Sequence, residues 1–297
     1  MLDRRSDRVV GCSGHDSHGG RGGPVNAQRP PLTFAALDGM AFAAGRGRLH
    51  EDAADTRYNV GPLGPFMELR QLSACGLLPR PDQATWLDLG GAASLEEALR
   101  VGRQQWIGGN TGTVGFFRTG KSWSEDDTPW VAFGLAAQKA AAAGGFHRRI
   151  AAQFAAALVE MVSNIHEHSG ASASGIAAFS AGRDEFEFVV ADHGIGVLES
   201  LRNGPDYKSL ADHGEALRLA LTDGVSRYGK QAKRGNGFRP IFVGLANLSG
   251  TLRFRTGDHA LIIEGQKIDV MSAKTAQKVS LKGFFISVSC RPGSTNR

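Results

Sequence analysis

Residues 158–168 read LVEMVSNIHEH, and the spacing of Glu160, Asn164 and His168 in this stretch decides how the rest of the chain is read. Apolar side chains recur at Ile150, Phe154, Leu158, Met161, Val162 and Ile165, the period of a helix with one buried face. At ~100° per residue, Glu160, Asn164 and His168 fall at i, i+4 and i+8 and form a polar stripe about 80° wide beside that face. A carboxylate and an amide one turn apart can hold a hydrated Mg²⁺ and orient a water, because Mg²⁺ takes hard oxygen ligands and keeps several waters. An ordinary exposed polar face accounts for the same letters.

Working outward, Ile176–Phe179 reads as a short strand, and Phe186, Phe188 and Val190 alternate as a second strand up to Asp192. Asp192-His193-Gly194-Ile195-Gly196 follows directly. An aspartate at a strand end can accept a hydrogen bond from an adenine amino group, and glycines after it let the backbone approach a base or turn sharply. A plain turn explains the pattern too in a chain with 40 glycines. Ser209–Leu221 reads as a helix. Residues 223–239 then set Arg227, Lys230, Lys233, Arg234 and Arg239 among Gly224, Gly229, Gly235 and Gly237, leading into a helix expected over Ile241–Leu248. A basic loop feeding a helix N-terminus suits a phosphate, and a solvated surface loop has the same composition. Leu252–Phe254 and Leu261–Ile263 flank Gly257-Asp258 as a hairpin would, and Gly283–Cys290 makes a last strand.

In this order the segments resemble the Bergerat ATP-binding fold of the GHKL superfamily of gyrase, chaperone, histidine-kinase and mismatch-repair ATPases. LVEMVSNIHEH is similar to that family's N box, VVADHGIGV (189–197) to its G1 box and KRGNGF (233–238) to its G2 box. The last stretch, LKGFFISVSCRP (281–292), is similar to the closing strand of anti-sigma-factor and histidine-kinase members. The resemblance implies an α+β two-layer sandwich binding Mg²⁺ and ATP. It makes Glu160 the general base or water-orienting residue and Asn164 the Mg²⁺ ligand, with His168 counted among the cofactor-binding residues. Asp192 then receives the adenine amino group, Gly194 and Gly196 shape the base pocket, and Gly235 and Gly237 approach the phosphates under a lid over 223–239. The implied activity is ATP hydrolysis or transfer of the γ-phosphoryl to a protein phosphoacceptor. The alternative is a non-catalytic, ATP-dependent switch acting on a protein partner through residues 31–145. Phe238-Arg239-Pro240 stands where family members commonly have a further glycine, which keeps that alternative open. A homodimer is compatible with the resemblance.

The remainder of the chain sets bounds. Residues 1–30, rich in Gly, Ser, His and Arg, are expected to be a disordered tail. Residues 31–145 are expected to form a smaller α/β domain of unknown type, and 146–297 the GHKL-like domain. In the former, Thr85–Leu89 reads as a strand, Leu95–Trp106 as a helix opened by Ser94 with Glu97 in a capping box, 107–129 as irregular, and Trp130–Ala143 as a helix. The net charge of +5 is spread along the chain without a like-charge block, so nucleic acid is not an expected partner. No apolar run spans a bilayer, no secretory signal is apparent, and the three cysteines form no CxxC pair, all of which point to a cytoplasmic protein with reduced thiols.

A rival motif is present. Gly115–Ser122 (GFFRTGKS) matches the P-loop pattern letter for letter. A P-loop needs a strand before it and a helix directly after the Lys-Ser pair. The residues before Gly115 make a poor strand and those after Ser122 a poor helix, so the match reads as accidental. Gly235-Asn236-Gly237 lacks the spacing of a dinucleotide fingerprint. His166, His168, His193 and His213 form no metal-binding motif, since His166 and His168 point to different faces of one helix.

Overall fold

The computed structural model describes residues 29–47, 56–109, 112–222, 248–265 and 273–292. The described residues hold seven α-helices: α1 (Phe34–Gly45), α2 (Leu63–Ala74), α3 (Ala93–Arg100), α4 (Thr128–Ala143), α5 (Arg148–His168), α6 (Gly196–Arg202) and α7 (His213–Ala220). The strands are β1 (Tyr58–Asn59), β2 (Leu87–Asp88), β3 (Gln105–Gly108), β4 (Val114–Arg118), β5 (Ile176–Gly182), β6 (Glu185–Asp192), β7 (Ser249–Gly265) and β8 (Lys274–Arg291). Six of them form one antiparallel sheet in the order β3-β4-β5-β6-β8-β7, while β1 and β2 make a small parallel pair. The chain is therefore a mixed α+β protein.

The sheet is apolar on both faces. Phe186, Phe188 and Val190 of β6 join Phe284, Ile286 and Val288 of β8 in the core under α4 and α5. The alternate residues, Val189 and Ala191 of β6 and Phe285 of β8, join a second core under α1, α2 and α3. A strand buried on both sides loses the polar–apolar alternation of a half-exposed sheet and reads as a nearly unbroken apolar run. The runs EFVVA and FFISV look as they do for this reason. Within the first core, Phe154 of α5 stacks on Phe186 with ring centroids 4.6 Å apart, so the helix carrying the polar stripe is fixed against the sheet by its apolar face. The strands β3 and β4 (105–118) belong to the same sheet as the strands of 176–291, with β4 pairing along β5 from Val114↔Ser180 to Arg118↔Ile176.

Several local expectations are corrected. The helix expected over Leu95–Trp106 stops at Arg100, and Gln105–Gly108 is a strand. Its stop is a Schellman motif around Gly102, in which Arg103 N donates to Ala98 O and Gly102 N to Leu99 O, both at 3.3 Å. The capping box does not form: Ser94 lies inside the helix, and the N-cap is Ala92, which makes no side-chain cap bond. Residues 107–129 are not irregular throughout, because they contain β4. The hairpin at Gly257-Asp258 is absent. β7 runs through both residues, and register shifts between Thr256 and His259 mark a bulge in its pairing with β8. The helix expected over Ile241–Leu248 lies outside the described residues up to 247, as does the expected tail up to residue 28; Arg29 and Pro30 are described, with Arg29 Nη1 2.6 Å from Asp88 Oδ2.

Candidate functional site

α5 is capped at its start by His147, whose ring accepts the Arg149 amide at 3.3 Å, and at its end by Ser169. Glu160, Asn164 and His168 are all half-buried along one side of it. Burial pushes the Glu160 carboxyl above the usual carboxylate range, and the negative charges of Glu167 and Glu125 add to the shift. The Asn164 amide nitrogen is buried with no hydrogen-bond partner among the described residues. The His168 imidazole Nε2 lies 3.9 Å from Glu167 Oε2. His166, on another face, stacks on Trp123 with ring centroids 4.8 Å apart and nearly parallel planes. Burial lowers the His166 pKa, and the stack ties the segment ahead of α4 to α5.

Asp192 is the last residue of β6 and is 1% exposed. Its Oδ1 accepts the Gly194 amide at 2.7 Å, while Oδ2 is buried without a hydrogen-bond partner among the described residues. Burial pushes the carboxyl up to about 6, against the opposing pull of the Gly194 and Phe284 amides. A buried acceptor left open costs about 1–3 kcal/mol, so such a group in a native fold calls for an ordered water, a ligand or a functional reason.

The loop after Asp192 is held on three sides. Ile195 N donates to Ser169 O at 2.8 Å, and His193 N to Ser174 Oγ at 3.0 Å, which ties the loop to the C-terminal end of α5. A Cβ on Gly194 would overlap the Ser169 carbonyl, so only glycine fits there. Gly196 has φ +77°, and a Cβ on it would meet Thr256 Oγ1 at 2.7 Å. Thr256 of β7, fully buried, accepts the Val197 amide at 3.1 Å and donates to Gly283 O at 2.9 Å. The loop glycines are thus demanded by close approach of helix and strand, and the fold brings the Asp192–Gly196 loop to the end of the helix bearing Asn164 and His168. Glu160 lies eight residues before His168, about 12 Å back along the axis at the usual rise.

Gly235, Gly237 and the expected lid over 223–239 lie outside the described residues. The P-loop pattern is placed differently from what that motif requires. Gly115–Arg118 are in β4, Thr119 N donates to Gly175 O at 2.9 Å, and Lys121 and Ser122 lie in a turn with the next helix starting at Thr128. No group of three or more His, Cys, Asp or Glu side chains among the described residues is placed to hold a metal by itself. No helix among them is long and apolar enough to cross a membrane.

Two groups of polar residues behind the site had no signal in the sequence. Gln71 of α2, 4% exposed, directs its amide nitrogen at three carbonyls: Asp192 O at 2.8 Å, Phe284 O at 3.1 Å and Lys282 O at 3.2 Å. One turn earlier, the fully buried Glu68 accepts from Arg253 Nε at 2.7 Å and Nη2 at 2.8 Å, and also from Arg255. Arg253 reaches on to Asp38 of α1 at 2.6 Å. Burial alone would lower the Arg253 pKa, but Glu68 and Asp38 hold it above its ordinary range. The alternation Arg253-Phe254-Arg255-Thr256 is that of a strand with one face in water, and only the packing of α2 shows that the arginine face is covered.

The chain matches no family model. No curated protein matches it either.

Proposed function

We propose that this chain binds Mg²⁺–ATP in a GHKL-type site of the Bergerat fold, with the adenine amino group on Asp192. The observation that carries the reading is the open Oδ2 of Asp192, a buried acceptor at a strand end whose other oxygen is already engaged by the following loop. The unpartnered amide nitrogen of Asn164, a donor suited to a phosphate oxygen, and the half-buried Glu160 on one side of α5 support the phosphate end. Asn164 would hold Mg²⁺, and so sparse a protein ligand set suits an ion bound largely through phosphates and water. When bound, the ion would neutralise charge developing on the transferred phosphoryl group. Glu160, with its carboxyl raised by burial, would take the proton of the attacking water or phosphoacceptor. The substrate class is therefore ATP, with water or a protein side chain as phosphoryl acceptor.

Calorimetric titration of Mg²⁺–ATP into wild type, Asp192→Asn, Lys121→Ala and Glu160→Ala tests the proposal. Binding should persist in Lys121→Ala and fall at least tenfold in Asp192→Asn, about the value of one lost charged hydrogen bond. Glu160→Ala should keep binding and lose phosphate release or transfer. Undiminished binding by Asp192→Asn removes the adenine assignment. Tight binding by a wild type that releases and transfers no phosphate would make the protein an ATP-dependent switch.

A further inference from the structure

α2 is anchored to the sheet at three points, all through polar groups. At its first turn, Glu187 of β6 accepts the Leu63 amide. In its middle, Glu68 holds Arg253 and Arg255 of β7. Near its end, Gln71 meets the place where β6 finishes and β8 bulges at Lys282-Gly283. The last contact is made at a cost to the glutamine itself. Its two amide hydrogens are spread over three carbonyls while its own Oε1 is buried with no partner among the described residues. An apolar residue of similar length would spare the Oε1 but would take the donor away from all three carbonyls. The glutamine therefore does something packing alone would not ask for.

What it holds is the main chain of Asp192. The side chains of β6 alternate, with Glu187, Val189 and Ala191 facing α2 and Phe188, Val190 and Asp192 facing the α5 side. Gln71 cannot reach the Asp192 carboxylate from its own face, but it grips the Asp192 carbonyl and ties it to the β8 carbonyls on either side of Gly283. Gly283 in turn packs directly on Asp192, and its carbonyl accepts the hydroxyl of Thr256, which holds the loop at Val197. One amide thus ties the start of the Asp192–Gly196 loop to the bulge that supports its far end.

The geometry points to Gln71 as a positioning residue for Asp192, through which the helical layer of α1, α2 and α3 sets the adenine selectivity of the nucleotide site. The inference rests on the ATP reading given above. It follows that anything displacing α2 lowers adenine affinity, and that bound nucleotide stabilises the seating of α2 by the same factor, since coupling between two sites is reciprocal.

The test compares ATP with inosine triphosphate, which carries a carbonyl oxygen where adenine has its amino group, in wild type and Gln71→Met. In wild type, ATP should bind more tightly than inosine triphosphate. In Gln71→Met, the ATP dissociation constant should rise roughly three- to tenfold, the worth of one hydrogen bond, while that of inosine triphosphate stays put and the ratio closes. An equal loss for both nucleotides, or no loss for either, overturns the role of Gln71 and leaves the ATP site standing. A wild type that does not distinguish the two removes the adenine assignment and this inference with it. If Gln71→Met does not fold, hydrogen exchange on wild type decides the matter: the amides of 66–74 should gain protection when ATP is added, and unchanged protection overturns the inference.

Discussion

Asp192 Oδ1 accepts the Gly194 amide while Oδ2 has no hydrogen-bond partner among the described residues, so the protonation state of the carboxyl sets what Oδ2 can accept. With the pKa pushed up to about 6 by burial, the group is ionised at pH 8 and gains a proton as the pH falls through that value. The proton goes to Oδ2, because Oδ1 is occupied, and on the proposed ATP reading it turns the open acceptor into a donor facing the adenine amino group. ATP affinity relative to inosine triphosphate should therefore hold from pH 8 to about 7 and fall toward pH 5, a trend that Asp192→Asn abolishes. Taking the ratio cancels protonation of the phosphates. Glu187 behaves differently, because it affects stability. It is 7% exposed, and burial pushes its carboxyl up to about 7 from 4.5. Between these values the folded state binds more protons than the unfolded state, so stability declines as pH rises from 4.5 to 7 and stays low above. Glu187→Gln keeps an acceptor for the Leu63 amide and carries no charge to bury. Thermal melts should show it more stable than wild type at pH 8, by an amount on the order of 2–3 kcal/mol. The advantage should shrink toward zero near pH 4.5.

At the scale of elements, α2 and β7 meet through a charged cluster where most helix–sheet contacts are apolar. Glu68 faces two arginines, and Arg253 is shared with Asp38 and packed over the Phe34 ring, 4.7 Å from its centroid. Removing the carboxylate leaves two guanidinium groups desolvated with one anion between them, which costs about 3–5 kcal/mol for a buried pair. Glu68→Ala should lower the unfolding free energy measured by denaturant titration by that amount, and replacing Arg253 and Arg255 by Met in the same protein should recover part of the loss. A Glu68→Ala midpoint equal to that of wild type would show that the cluster contributes nothing. The element boundaries show why some were legible and others were not. α5 is 21 residues long with an uninterrupted apolar face, and its period is visible in any window. The stop at Gly102 and the bulge at Gly257 each turn on one residue, and a glycine is as compatible with a loop or a hairpin as with what forms there.

For the molecule as a whole, the antiparallel sheet is the shared floor of two cores. Phe116, Ala178, Val189, Ala191 and Phe285 are buried only because α1, α2 and α3 lie on them. Losing that layer would expose a contiguous apolar face of the kind that associates or aggregates. The described part of the chain should consequently unfold in one transition, with equal calorimetric and van't Hoff enthalpies. Two resolved transitions, with one sensitive to Glu68→Ala and the other not, would show that the helical layer and the sheet melt separately.

The sequence by itself determined what depends on neighbours along the chain: the amphipathic period of α5, the alternation ending at Asp192, the mixed α+β class and the candidate residues Glu160, Asn164, His168, Asp192, Gly194 and Gly196. These are readable because helical and strand periods act over four to eight residues, and because a carboxylate or glycine at a strand end carries its chemistry in its type. The tertiary structure alone decided that both faces of the sheet are covered, that one Asp192 oxygen has no partner among the described residues, and that Gln71 and Glu68 of α2 reach β6, β7 and β8. Gln71 and Asp192 stand 121 residues apart, and Glu68 and Arg253 stand 185 apart. No local pattern encodes such pairs, because what selects them is the burial of one polar group against another once the chain has closed on itself.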